Sequence, residues 1–192
     1  MKRRQRGLTL IEILIAMSIM AILSVLGYKA FSNLLIARES LMETSRRWVD
    51  LARAFRRVET DLSRLPTEAW LEEARRQGRF AVPLRLSGSE GDASLDLEVY
   101  SGLTPQGRER LSYRSGAAGL TWQGQRLGAS VASRPYRLFP PGYRVSWRVM
   151  SPDGGFVGAW PRDGDSAGSP RALEMRVVMP DGTAVTRLWN LP

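Results

Sequence analysis

The spacing of apolar residues changes twice along the chain. Across residues 8–28 nearly every position is apolar, and Glu12 is the only charge. Roughly 21 such residues suffice to cross a hydrocarbon core of ~30 Å as a helix. From Lys29 the pattern becomes periodic. Phe31, Leu34/Leu35, Leu41/Met42, Trp48/Val49, Ala52, Phe55, Val58, Leu62 and Leu65 recur every three or four residues, with Arg38, Glu39, Arg46, Arg47, Asp50, Arg56 and Arg57 between them. That spacing predicts an amphipathic helix with a narrow apolar stripe. No proline interrupts residues 8–65, so Pro66 marks the expected end. A coiled-coil stalk is the alternative, but Arg38 and Ser45 interrupt its heptad seam.

From Thr67 the period falls to two. TEAWLEEARRQG (67–78) reads as a short helix or a structured loop. Beyond it Leu84/Leu86, Leu95/Leu97/Val99, Leu111/Tyr113, Leu120/Trp122 and Tyr143/Val145/Trp147/Val149 alternate with polar residues. Such segments, separated by turn residues, predict antiparallel strands with one buried face. SPDG (151–154) and PDG (180–182) are turn signals, and the second should join LEMRVVM to TAVTRLW as a hairpin. DGDSAGS (163–169) reads as an exposed loop. The expected fold class is α+β: a long helix packed on antiparallel sheets, with about eight strands.

Composition narrows the chemistry. The 192 residues carry a net charge of +9, with neither Cys nor His. This removes disulfides, thiolate metal sites, thiol nucleophiles and imidazole bases. The acid pairs Glu72/Glu73 and Asp163/Asp165 are the remaining candidates for acid–base work or calcium. A solvated surface explains them more simply, so neither a catalytic nor a metal site is expected. Lys2, Arg3, Arg4 and Arg6 hold much of the excess charge. Arg75, Arg76, Arg79, Arg108, Arg110 and Arg114, near Trp70, Phe80 and Tyr113, form the one pattern that suggests nucleic acid. A mixed solvated surface is the preferred reading there too, and no nucleic-acid partner is expected.

The basic leader before the apolar stretch places the amino terminus in the cytoplasm by the positive-inside rule. The bulk of the chain then lies across the membrane, in the periplasm of a two-membrane bacterium. Glu12 is costly in such a span and so calls for a function and a partner. A cleaved secretory signal is disfavoured because SVLGYKAFS (24–32) offers no convincing small-x-small site. A plain anchor has no use for Glu12.

Gly7-Leu8-Thr9-Leu10-Ile11-Glu12 resembles the processing signal of type IV pilins and type II secretion pseudopilins. The resemblance implies cleavage by a prepilin peptidase between Gly7 and Leu8, N-methylation of Leu8, and an assembly role for Glu12. Leu8 stands where that superfamily usually has Phe. The resemblance divides the chain into a cleaved leader (1–7), a transmembrane half of the helix (8–28), its periplasmic half (29–66) and a β-rich head (67–192).

The head is similar to a narrower family, minor pseudopilin J of type II secretion. VETDL (58–62) resembles its "LERDL" segment, YRVSWRV (143–149) its "WR" strand, and GFVGAWPR (155–162) its "WP" segment. SPRALEM (169–175) and the terminal RLWNLP (187–192) match its last two segments, whereas residues 66–139 match poorly. This implies a structural subunit without catalysis or cofactor, acting in the tip complex that primes a periplasmic fibre for export of folded proteins. Implied partners are minor pseudopilins I and K, often with H, the prepilin peptidase, the inner-membrane assembly platform and inner-membrane lipid. The exposed helix face between Ala30 and Phe55 would meet the siblings. A minor pilin of a type IV pilus or DNA-uptake machine is the alternative, since the amino terminus alone does not separate them.

Overall fold

The computed structural model describes residues 9–76, 82–89, 91–102, 107–162 and 169–192. Gly7, Leu8, Arg79, Phe80, Asp163 and Asp165 lie outside them. The chain forms two units, Met1–Val49 and Asp50–Pro192. One uninterrupted helix, α1 (Leu10–Leu62), contributes to both.

In the first unit the apolar residues of α1 remain exposed, from Leu10 and Ile11 through Leu26, Phe31, Leu34 and Leu41. The helix contains a window of mean hydropathy 2.4 and is long and apolar enough to cross a membrane.

In the second unit the end of α1 buries Leu51, Ala54, Val58, Asp61 and Leu62. The stripe is therefore offset from the expected one: Ala52 is exposed and Phe55 only half-buried. The helix also stops three residues earlier than expected. Arg64 N–H donates to the Asp61 carbonyl at 3.3 Å, and Leu65 N–H to that of Leu62 at 3.0 Å, so the last turn tightens before Pro66. The short helix α2 (Glu68–Arg76) follows and buries Leu71 and Ala74.

The strands form two antiparallel sheets. The first is a meander of β1 (Leu84–Ser89), β2 (Asp92–Tyr100), β3 (Arg108–Gly116), β4 (Gly119–Arg126) and β5 (Tyr136–Phe139) in chain order. The second contains β6 (Arg144–Met150), β7 (Phe156–Val157), β8 (Ala172–Val178) and β9 (Ala184–Asn190), in the order β7-β6-β8-β9. The expected Pro180-Asp181-Gly182 hairpin joins β8 to β9, with Gly182 at φ +86° and Thr183 N–H donating to the Asp181 side chain at 2.9 Å. Nine strands lie among the described residues where about eight were expected. The four residues of β5 and two of β7 are too short to carry a readable alternation.

The inner faces of both sheets and the end of α1 share one core. It includes Leu95, Leu97, Val99, Leu111, Tyr113, Val145, Trp147, Leu173, Met175 and Val177. Each large apolar side chain buried here contributes about 1.5–3 kcal/mol before entropy is counted. Trp160 closes one corner: its N–H and C=O exchange hydrogen bonds of 2.8 Å with Leu86 of β1.

Candidate functional site

Glu12 sits in the first turn of α1, and its chemistry begins with the residue before the helix. Thr9 occupies the N-cap. Its N–H and hydroxyl both donate to the Glu12 carboxylate, at 2.9 and 3.0 Å, and Glu12 N–H donates back to the Thr9 hydroxyl at 3.4 Å. This is a capping box, Thr-x-x-Glu, which satisfies amides that the first helical turn leaves without partners. The Thr-x-x-Glu spacing just before the apolar run is the sequence signal for this cap, and it gives Glu12 a local partner in Thr9. The carboxylate is exposed, as are Leu10, Ile11 and Ile13 around it. It therefore holds the helix start while remaining open to a second partner.

The second constellation centres on Asp61, which has no exposed surface. It lies in phase with Ala54, Val58 and Leu62 on the buried stripe, the one polar interruption of that phase. Asp61 Oδ2 accepts from the Tyr113 hydroxyl at 2.6 Å, Trp122 Nε1 at 3.0 Å and Arg57 Nε at 3.0 Å; Oδ1 accepts from Arg64 Nη1 at 3.5 Å. The Arg57 guanidinium also lies 3.9 Å from the centre of the Trp122 ring. Arg64 reaches on to the Tyr100 carbonyl at 2.8 Å and Glu109 at 2.6 Å. A buried carboxylate is tolerated only with such a full set of donors. Here the donors come from α1, from the turn that follows it and from β3 and β4, so the carboxylate ties the helix to the five-stranded sheet.

This environment shifts two neighbours. Burial, then the Asp61 charge, pushes the Tyr113 hydroxyl well above its ordinary value. Burial opposes ionisation of Glu109 as well. Hydrogen bonds from Ser101 and Arg64, with the Arg64 charge, outweigh it and hold this carboxyl below the usual range.

The remaining motif residues are also packing and pairing elements. Trp147, Trp160 and Trp189 are buried, and Trp189 meets Phe55 edge-on at 5.8 Å. Arg148 pairs with Glu174 at 2.7 Å across β6 and β8. Glu59 and Arg187 approach to 3.9 Å.

The rival chemistries fare differently. Glu72 and Glu73 are exposed and pair with Arg76, at 3.6 and 3.8 Å, as ordinary i,i+4 and i,i+3 helix partners. Of the nucleic-acid pattern, Tyr113 is buried, and Arg108 pairs with Glu98 at 2.8 Å while lying over Trp70. Neither is presented for base stacking.

Residues 2–28 match the prokaryotic N-terminal methylation motif, and residues 29–191 match the family described as type II secretion system protein J. The chain belongs to the protein J family. That makes it a minor pseudopilin of type II secretion, a structural subunit, and selects secretion over the type IV pilus. The family match also crosses residues 66–139, where the motif resemblance was thin. Among solved structures the chain is similar to one in the GspK-GspI-GspJ complex of the enterotoxigenic Escherichia coli type 2 secretion system. That similarity has 15% identity and a TM-score of 0.45, over 57% of this chain and 75% of the other. The apolar helix and the methylation motif fit a membrane-anchored pseudopilin.

Proposed function

We propose that this protein J is a non-catalytic subunit of the pseudopilus tip, cut between Gly7 and Leu8, methylated at Leu8 and recruited through Glu12. The carrying observation is the first turn of α1: an exposed carboxylate held by a capping box on an otherwise apolar, exposed helix. Cleavage would create a cationic amine at Leu8, and a sibling subunit would bring its own. Glu12 has lone pairs beyond those used by Thr9. In a low-dielectric setting its attraction to a sibling amine is far stronger than in water. Exchange of the lipid around α1 for neighbouring helices would then deliver the subunit from the inner membrane to a fibre.

The proposed partners are the family's minor pseudopilins I and K, with H, the prepilin peptidase and the inner-membrane assembly platform; the head faces the periplasm. Residues 30–49 of the helix are the surface offered to siblings. Leu51 and Ala54, inside the sequence-based range of 30–55, are already buried in the second unit. Intact-mass analysis of the protein from cells containing the peptidase tests the first step. The expected species starts at Leu8 and carries one methyl group; a mature protein retaining residues 1–7 refutes it.

A further inference from the structure

The outward face of the five-stranded sheet carries more positive charge than its neighbours neutralise. Leu95, Leu97 and Val99 of β2 and Leu111 and Tyr113 of β3 point into the core, so the alternate positions form the opposite face. The register sets Ser94, Arg114, Thr121 and Arg137 in one row across β2 to β5, and Glu98, Arg110 and Gln125 in another. Arg85 stands opposite Asp96 on β1. Two of the face's carboxylates are engaged locally: Asp96 accepts from Ser94 at 3.0 Å and from Ser112, and Glu98 pairs with Arg108. Asp92, the first residue of β2, lies on the same face beside Gly116 of β3, and Arg85, Arg108, Arg110, Arg114 and Arg137 still outnumber the face's three carboxylates. Arg85, Arg110, Arg114 and Arg137 are exposed and form no ion pair among the described residues.

We propose that this face docks an acidic protein segment, one presenting several Asp or Glu side chains. Arg114 and Arg137 flank Thr121 from the two neighbouring strands, about 10 Å apart. Carboxylates along one acidic segment span such a gap. Each guanidinium fork can hold a carboxylate through two parallel hydrogen bonds, which a lysine cannot. Thr121, Gln123 and Gln125 lie between the charges, and their side chains donate to the carbonyls of Arg114, Ser133 and Ala129. The chemistry fits nucleic acid less well, because Tyr113 and Trp122 lie on the inner side, bound to Asp61, and the two rows that hold Arg110, Arg114 and Arg137 include no aromatic ring. It fits a lipid surface less well too, since the residues between these arginines on the face, Ser94, Ser112, Thr121, Gln123 and Gln125, are polar. This inference is independent of cleavage and of the role of Glu12.

The test uses the full-length chain in neutral detergent and a fluorescently labelled deca-glutamate peptide, read by polarisation at low and moderate salt. Binding should weaken with salt. Arg110→Gln/Arg114→Gln/Arg137→Gln should reduce affinity by at least about tenfold. A charge-matched control, Arg144→Gln/Arg171→Gln/Arg176→Gln on the other sheet and its flank, should bind like the parent. Single Arg110→Gln and Arg137→Gln variants, with circular dichroism, separate loss of the site from loss of fold. Absence of peptide binding, an unchanged affinity in the folded triple variant, or an equal loss in the control overturns the proposal. So does tighter binding of an oligonucleotide of equal charge, or of vesicles rich in anionic lipid, that is lost in the same triple variant.

Discussion

Tyr113 donates its hydroxyl to the buried Asp61 carboxylate at 2.6 Å, joining β3 to the last turn of α1. The relation between these two residues explains why the helix end and the sheet form one core. It also predicts unequal costs for removing each partner. Tyr113→Phe leaves Asp61 with three donors and should cost about 1–2 kcal/mol. Asp61→Ala strands the Tyr113 hydroxyl, Trp122 Nε1 and Arg57 together and should cost on the order of 3–5 kcal/mol. Chemical denaturation of the full-length variants in detergent measures both, and equal costs would contradict the arrangement.

The same contact sets an alkaline limit. The Tyr113 pKa is raised in the fold above its ordinary value of 10.0. Above about pH 10 the unfolded chain releases this proton and the folded chain keeps it, so stability falls as pH rises. Melting temperature should decline from about pH 10 upward, and more gently in Tyr113→Phe.

Glu109 gives the opposite sign. Its pKa is lowered from an ordinary 4.5, so its contribution is present above that value and lost as pH falls below it. Glu109→Gln should therefore flatten the acid side of the stability profile while leaving the alkaline side unchanged. Melting curves from pH 3 to 7 check this.

Gly119 opens β4 at φ +93°, and a Cβ there would lie 2.1 Å from the Phe139 carbonyl oxygen. Gly91 shares the positive φ, at +90°, but faces open space. Gly119→Ala should be far more destabilising than Gly91→Ala, which bears only the conformational cost of about 1–2 kcal/mol. Similar melting points for the two variants would contradict the close approach.

Much of this was legible in the sequence because period and turn chemistry agreed. The apolar run, the β8–β9 hairpin and the alternations of β2, β3 and β6 all appear as read. The strands β5 and β7 were not legible: they are held by the neighbours they pair with, not by a pattern of their own. Asp61 was visible as part of VETDL, but its burial depends on Tyr113 and Trp122, distant in sequence. The Thr9 cap was readable from spacing alone. What no reading of residues 30–55 alone could supply was the point where the helix begins to bury its stripe, Leu51.

The proposed role of Glu12 is to recruit siblings while Thr9 holds its carboxylate ready. Its most direct test is co-purification of full-length protein with minor pseudopilins I and K, co-expressed with the prepilin peptidase, for the parent and Glu12→Ala. Normal cleavage after Gly7 is expected in both, with markedly less sibling recovered with Glu12→Ala. Unchanged recovery of both siblings, with unchanged secretion, would contradict it.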